Sequence, residues 1–259
     1  MKHSLPSKTG FIRIGIFLAM AIVISNIFRF DLFQLRDELS LLPAWLFVLA
    51  NVLLEGSGVF LGAIVGLSML RKEKVVTVSL CGTSAKKCAL MLAIPVILLT
   101  GFGVENTFTL NSNLYGLIAV LGSLIYCLME ELGWRGYLQE ELRFLPPRQK
   151  YVTIGVVWYL WHLTFLTDAS FGENIFFLSM MILGSWGIGQ VADATKSIIA
   201  AACFHLIIQI VMFNSLIKDG LTSNEKIVVL IVCLLIWFVI VKKWEKENQS
   251  SIQAEAEVQ

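Results

Sequence analysis

The sequence predicts an all-α fold: a polytopic membrane helical bundle of about eight transmembrane helices, N-in/C-in. Three observations predict it. Of the 259 residues, 57% are AVILMFWYC and only 15% are charged, whereas soluble domains carry about 25% charged residues. The apolar residues gather into runs near the length of about 20 that spans a bilayer. The 20 Lys and Arg residues are unevenly divided between the two ends of those runs, as the positive-inside rule requires.

Taken in order, the expected spans are residues 12–28, 41–70, 88–104, 114–129, 151–166, 175–191, 197–217 and 227–241. The first is followed by no clean small-x-small cleavage site and reads as a retained anchor rather than a signal peptide. With an inner N-terminus, 16 of the basic residues fall on inner segments and Arg29, Arg36, Lys218 and Lys226 fall outside. An even number of spans then puts both termini in the cytoplasm. The inner loop 71–87 holds five of the inner cations, beside anionic headgroups. Pro146-Pro147 ends the helix that follows the fourth run. The expected division is 1–110, N-terminal helices and basic loop; 111–217, a core; 218–244, the last span; and 245–259, a polar, disordered tail.

A net charge of +1 gives no reason to expect nucleic acid as a partner. The lipid bilayer is the partner the composition does imply. Cys81, Cys88, Cys127, Cys203 and Cys233 form no C-x-x-C pair, lie mostly in apolar stretches and read as small hydrophobes.

Charge at bilayer depth costs about 2.5–3.5 kcal/mol per residue on insertion scales, so such residues face a partner or a wet cavity. The set is short: Glu55, Glu130, Glu131, Arg135, His162, His205 and Gln209. Glu131 and Arg135 are four apart with the acid first, the favourable order for an ion pair. Glu130 points about 100° away and lacks that partner, which leaves it to bind a proton or a ligand. A solvated helix end at the inner interface would carry the same charge run. His162 follows Trp158 by one turn, and His205 precedes Gln209 by one turn, so each pair shares a helix face. Hydrogen bonding between helices accounts equally well for either pair taken alone. Together they say more. At about 1.5 Å per residue, His162 lies about 16 Å and His205 about 12 Å from the inner ends of their spans, and Glu130 about 24 Å down a span descending from outside. An acid and two imidazoles from three helices thus reach similar inner depth, as a shared polar cavity requires. Glu55, beside Gly56, Ser57 and Gly58, is assigned no chemistry.

These residues resemble the motifs of the CPBP family, the CAAX proteases and bacteriocin-processing enzymes. Glu130, Glu131 and Arg135 match its E-E-x-x-x-R. His162 matches F-x-x-x-H, with Trp158 where Phe is usual. His205 matches H-x-x-x-N, with Gln209 where Asn is usual. The resemblance covers residues 122–216. It implies an intramembrane endopeptidase in a cell membrane of bacterial type, its cavity open to the cytoplasm, acting on peptide or membrane-protein substrates. On that reading Glu130 takes a proton from water that His162 positions, and His205 and Gln209 donate to the tetrahedral oxyanion.

A zinc-dependent reading uses the same residues: Glu130, His162 and His205 would ligate Zn²⁺ and leave a fourth position for water. No H-E-x-x-H helix is present, and the metal-free mechanism, with no cofactor, is the favoured expectation. Gln209 keeps an amide donor but sets it one methylene, about 1.5 Å, further out. That departure motivates a competing expectation, a non-catalytic scaffold or immunity protein of the same fold. A proton-coupled transporter is the third, and no internal repeat of the transporter kind supports it.

Overall fold

Helices are what these apolar runs must form, because in lipid every backbone N–H and C=O has to be satisfied within the segment. The computed structural model describes residues 8–70 and 77–257. Among them the regular elements are all helical: α1 (Lys8–Arg29), α2 (Leu35–Ser40), α3 (Ala44–Val65), α4 (Ala85–Phe102), α5 (Ser112–Glu131), α6 (Gln139–Glu141), α7 (Pro147–Trp161), α8 (Leu163–Asp168), α9 (Phe171–Thr195), α10 (Ile198–Ile208), α11 (Ser215–Lys218) and α12 (Ser223–Glu257). Wider π turns cover Gly66–Leu70, Leu132–Leu138 and Gln209–Phe213. The first continues α3, the second joins α5 to α6, and the third continues α10. The only strand-like pairing among the described residues is an isolated bridge between Ser79 and Ser197.

Among the described residues, six helices are long and apolar enough to cross a membrane: Thr9–Arg29, Ala44–Ser68, Ala85–Phe102, Ser112–Glu141, Phe171–Thr195 and Ser223–Ser251. The protein is therefore an integral, multi-pass membrane protein. The two other expected spans differ from expectation. Residues 151–166 are split, since α7 stops at Trp161 and α8 restarts at Leu163. Residues 197–217 divide into a shorter apolar helix, Ile198–Phe213, and α11 after a break at Asn214. A third difference concerns the end of the chain, where the expected disordered tail continues α12 to Glu257. Its Glu, Lys, Gln and Ala are good helix formers. Asn248 also ties that stretch down, donating to the Ala194 carbonyl at 2.9 Å. Of the expected basic loop, Arg71, Lys72 and Lys74 lie outside the described residues.

The chain divides into two compact units, Met1–Thr77 with Ile125–Gly189, and Val78–Leu124 with Gln190–Gln259. In the first, α1 and α3 pack along each other, and α3 lies against the turn Leu132–Leu138. Glycine makes that approach close. A Cβ on Gly133 would stand 2.2 Å from Val59 Cγ1, and one on Gly58 would stand 2.5 Å from Ser25 Oγ. Ser185 Oγ donates to the Tyr151 carbonyl at 3.0 Å, pinning α9 to α7. In the second unit, Trp237 Nε1 donates to the Met91 carbonyl at 3.1 Å, joining α12 to α4. Ser197 caps α10: its Oγ accepts from the Ala200 N–H at 3.1 Å and donates to the Leu80 carbonyl at 3.1 Å.

Candidate active site

Glu130 is the last residue but one of α5, at the bottom of a long apolar run, and is fully buried. Its Oε2 accepts two indole N–H bonds, from Trp134 Nε1 at 3.0 Å and from Trp158 Nε1 at 3.0 Å. Its Oε1 makes no further hydrogen bond of ordinary geometry among the described residues, and the Tyr126 hydroxyl lies close enough to interact with the carboxylate. Two rigid donors on one oxygen fix the plane of the carboxylate and leave the second oxygen clear of them, an arrangement suited to receiving a proton. Both indoles are themselves buried. Trp134 meets the rings of Phe17 and Trp161 edge-on, each at 5.6 Å between centroids.

Glu131 and Arg135 form the expected pair: Arg135 Nη1 donates to Glu131 Oε1 at 3.1 Å, and both side chains are fully buried. Arg135 also donates through Nη2 to the Ser185 carbonyl at 3.4 Å. Its guanidinium carbon lies 5.3 Å from the centroid of the Trp158 ring. The pair therefore braces α9 and the indole that holds Glu130.

His162 occupies the break between α7 and α8, with φ −83° and ψ 70°. Its Nδ1 lies 2.9 Å from the Trp158 carbonyl. A carbonyl only accepts, so Nδ1 carries the proton, and in the neutral ring Nε2 is the acceptor. The break is held from α1, because the Trp161 carbonyl accepts from Asn26 Nδ2 at 3.1 Å and from Arg29 Nη1 at 3.2 Å.

His205 and Gln209 lie in the second unit and pair with each other, Gln209 Nε2 to His205 Nε2 at 3.2 Å. An amide nitrogen only donates, so His205 Nε2 is the acceptor, and Gln209 keeps a second N–H. The first unit thus gathers Glu130, Glu131, Arg135 and His162, while the second holds His205 beside Gln209. Sequence reasoning missed the part played by Trp134 and Trp158 as donors to Glu130. The i, i+4 spacing of Glu130 and Trp134 was the available signal. It also left Glu55 without a setting. That residue lies on α3 within electrostatic range of Arg29, Arg36 and Glu130. Among the described residues no three His, Cys, Asp or Glu side chains are grouped as a metal ion would need.

Residues 112–211 match a family model described as type II CAAX prenyl endopeptidase Rce1-like. The chain is also similar to the CAAX prenyl protease 2 of Methanococcus maripaludis, 26% identical over 164 residues, which cover 58% of this chain and 60% of that relative. The match thus spans less than two thirds of the relative's length. No solved structure matches. The matched stretch contains Glu130, Glu131, Arg135, His162, His205 and Gln209, and over it the chain is similar to the Rce1-like CAAX prenyl endopeptidases, the likeness its motifs imply.

Proposed function

We propose that the protein is an intramembrane endopeptidase of the CAAX-protease type, hydrolysing peptide bonds of membrane-associated peptide or protein substrates with a water activated by Glu130. The observation that carries this reading is the Glu130 carboxylate, buried and tied through Oε2 to Trp134 and Trp158, with Oε1 in no further hydrogen bond of ordinary geometry. A water hydrogen-bonded to Oε1 gives up its proton there as its oxygen attacks the scissile carbonyl carbon. His162 Nε2 accepts from the same water and orients it. By the family resemblance, His205 and Gln209 are the proposed donors to the oxyanion. A donor in that role contributes about 2.7–4 kcal/mol. When the intermediate collapses the C–N bond breaks, the proton held by Glu130 passes to the leaving amine, and a carboxylic acid and an amine result. Glu131 and Arg135 act as positioning residues. The basic-residue asymmetry supports cytoplasmic termini and a site that opens to the cytoplasm.

No step is routed through a metal. A chelator arm tests this directly. Full-length protein in nanodiscs would be assayed on a panel of prenylated and unmodified peptides, beside Glu130→Ala and with and without chelator. Cleavage should fall at least about a hundredfold in Glu130→Ala, as the loss of a general base does, and should be indifferent to the chelator. Equal cleavage by both proteins would remove Glu130 from the chemistry. Loss with chelator and recovery with Zn²⁺ would establish the metalloprotease in its place.

A further inference from the structure

We infer that Cys81 and Cys88 are a modification site, a dithiol that a hydroperoxide closes to a disulfide; the inference does not depend on the endopeptidase reading. The two are seven residues apart and meet across the start of α4. Cys81 opens a turn in which its carbonyl accepts from the Ser84 N–H at 3.3 Å. Ser84 caps α4, its Oγ accepting from the Lys87 N–H, and the Cys88 N–H closes the first helical turn on the Ser84 carbonyl at 3.2 Å. Side chains in a helix tilt toward its N-terminus, so Cys88 leans back over the turn. Its Sγ lies 3.3 Å from the Cys81 carbonyl oxygen, and the two thiols are within interaction range of each other. The turn itself is pinned. The Ser79 N–H donates to the Lys196 carbonyl at 2.9 Å, and the Ser79 carbonyl accepts from the Ile198 N–H at 3.0 Å. Gly82, at φ 58°, lies so close to Thr195 that a Cβ would stand 2.2 Å from its carbonyl oxygen. Proximity is therefore built into the backbone, as a bridge that forms without rearrangement requires.

The pair is also asymmetric in the way a two-step oxidation needs. Cys81 is half-buried, whereas Cys88 is buried, with Ser197 Oγ 3.1 Å from its sulfur. Cys203 and Cys233, in the same unit, are fully buried within α10 and α12. The basic-residue asymmetry supports a cytoplasmic setting for this end of α4, where soluble peroxide reaches Cys81. The N-terminal end of this 18-residue helix favours a thiolate at the turn. Cys81 thus reacts first: its sulfur takes one peroxide oxygen, the O–O bond breaks, and a sulfenic acid forms as hydroxide leaves. The Cys88 sulfur then attacks the Cys81 sulfur, the S–O bond breaks, and the hydroxide released takes the Cys88 proton. The thiols give up two electrons and the peroxide takes them, so that two thiols and one hydrogen peroxide yield one disulfide and two waters.

The alternative is that both thiols are inert packing groups, with Cys88 tying the turn to Ser197, the cap of α10. Reduced full-length protein in zwitterionic nanodiscs is treated with hydrogen peroxide, denatured, alkylated, and read by intact mass and peptide mapping. The oxidised wild type should take up two fewer alkyl groups than the reduced protein, and prior treatment with a thiol reductant should restore both. Trypsin cuts after Lys86 and Lys87, so the bridge should hold together two peptides that part on reduction. In Cys88→Ser the Cys81 sulfenic acid has no partner and should go on to sulfinic acid, which the reductant does not recover. Cys203→Ser should bridge as the wild type does. An unchanged alkyl count in the wild type would overturn the inference, as would sulfinic acid on Cys81 beside a Cys88 still open to alkylation, or a bridge to Cys203 or Cys233. The readout uses no substrate, so a protein that bridges yet cleaves no peptide would support the dithiol and overturn the endopeptidase reading.

Discussion

Replacing Trp158 by Phe, the residue usual at that motif position, isolates what the indole N–H contributes. The phenyl ring keeps most of the apolar area, and Arg135, 5.3 Å from the ring centroid, keeps an aromatic neighbour. What is lost is the 3.0 Å bond to Glu130 Oε2. A hydrogen bond to a charged group is worth about 1.5–3 kcal/mol. Trp134 still donates to the same oxygen at 3.0 Å, so the lower end applies, and about 1.5 kcal/mol is about tenfold in kcat/KM. Trp134→Phe should cost a similar amount. Removing both leaves a buried carboxylate with neither donor, and the penalty then exceeds the two single losses together. The double variant should fall by more than about a hundredfold, mainly in kcat, because neither indole is assigned a contact with substrate. The assay is peptide cleavage in nanodiscs, with thermal unfolding of each variant to separate misfolding from misplacement. A double variant no worse than either single would refute the idea that these two indoles orient the base.

Two further outcomes follow from the same geometry. Arg135→Ala leaves Glu131 buried without its cation, which should cost about 3–5 kcal/mol of stability; thermal unfolding in detergent reads it, adding Glu131→Leu should restore most of the loss, and an unchanged midpoint would count against a structural role for the pair. Gln209→Asn withdraws the amide by about 1.5 Å and breaks its 3.2 Å contact with His205, so kcat should drop on the order of tenfold to a hundredfold with KM little changed; equal turnover would show that the length of this side chain does not place the donor.

Much of this was legible in the sequence, for identifiable reasons. Hydropathy alone locates the six long spans, because lipid imposes the same requirement on every segment that crosses it. The Glu131–Arg135 pair was legible because it is local, fixed by i, i+4 geometry. The break at His162 was not. No Pro or Gly marks it, and its supports, Asn26 and Arg29, lie 135 and 132 residues away from Trp161. The sequence placed Trp158 only where Phe is usual, since donation to Glu130 depends on how α7 meets α5, which periodicity along one helix does not encode. The tail was misread because its composition suits an exposed helix as well as a disordered segment, and the anchor that decides, Asn248 on Ala194, is non-local.

The three motifs share a feature that hydropathy does not reveal: each coincides with an irregularity in its helix. Glu130 and Glu131 immediately precede the π turn Leu132–Leu138. His162 is itself the break between α7 and α8. Gln209 opens the π turn Gln209–Phe213, one helical turn after His205. π turns are rare and recur at functional sites, and irregular backbone at membrane depth is tolerated only where protein or a wet cavity supplies the missing partners. For a scaffold, regular helices would bury the same area with every backbone bond made. An irregular turn does something a regular one does not, since it redirects the side chains on either side of it by a fraction of a turn. Glu130, His162 and Gln209 stand at or beside those irregularities, as the proposed reading requires of groups that must be aimed, while the π turn Gly66–Leu70 carries no motif residue. The scaffold alternative, motivated by Gln209, offers no reason for the irregularities to coincide with all three motifs.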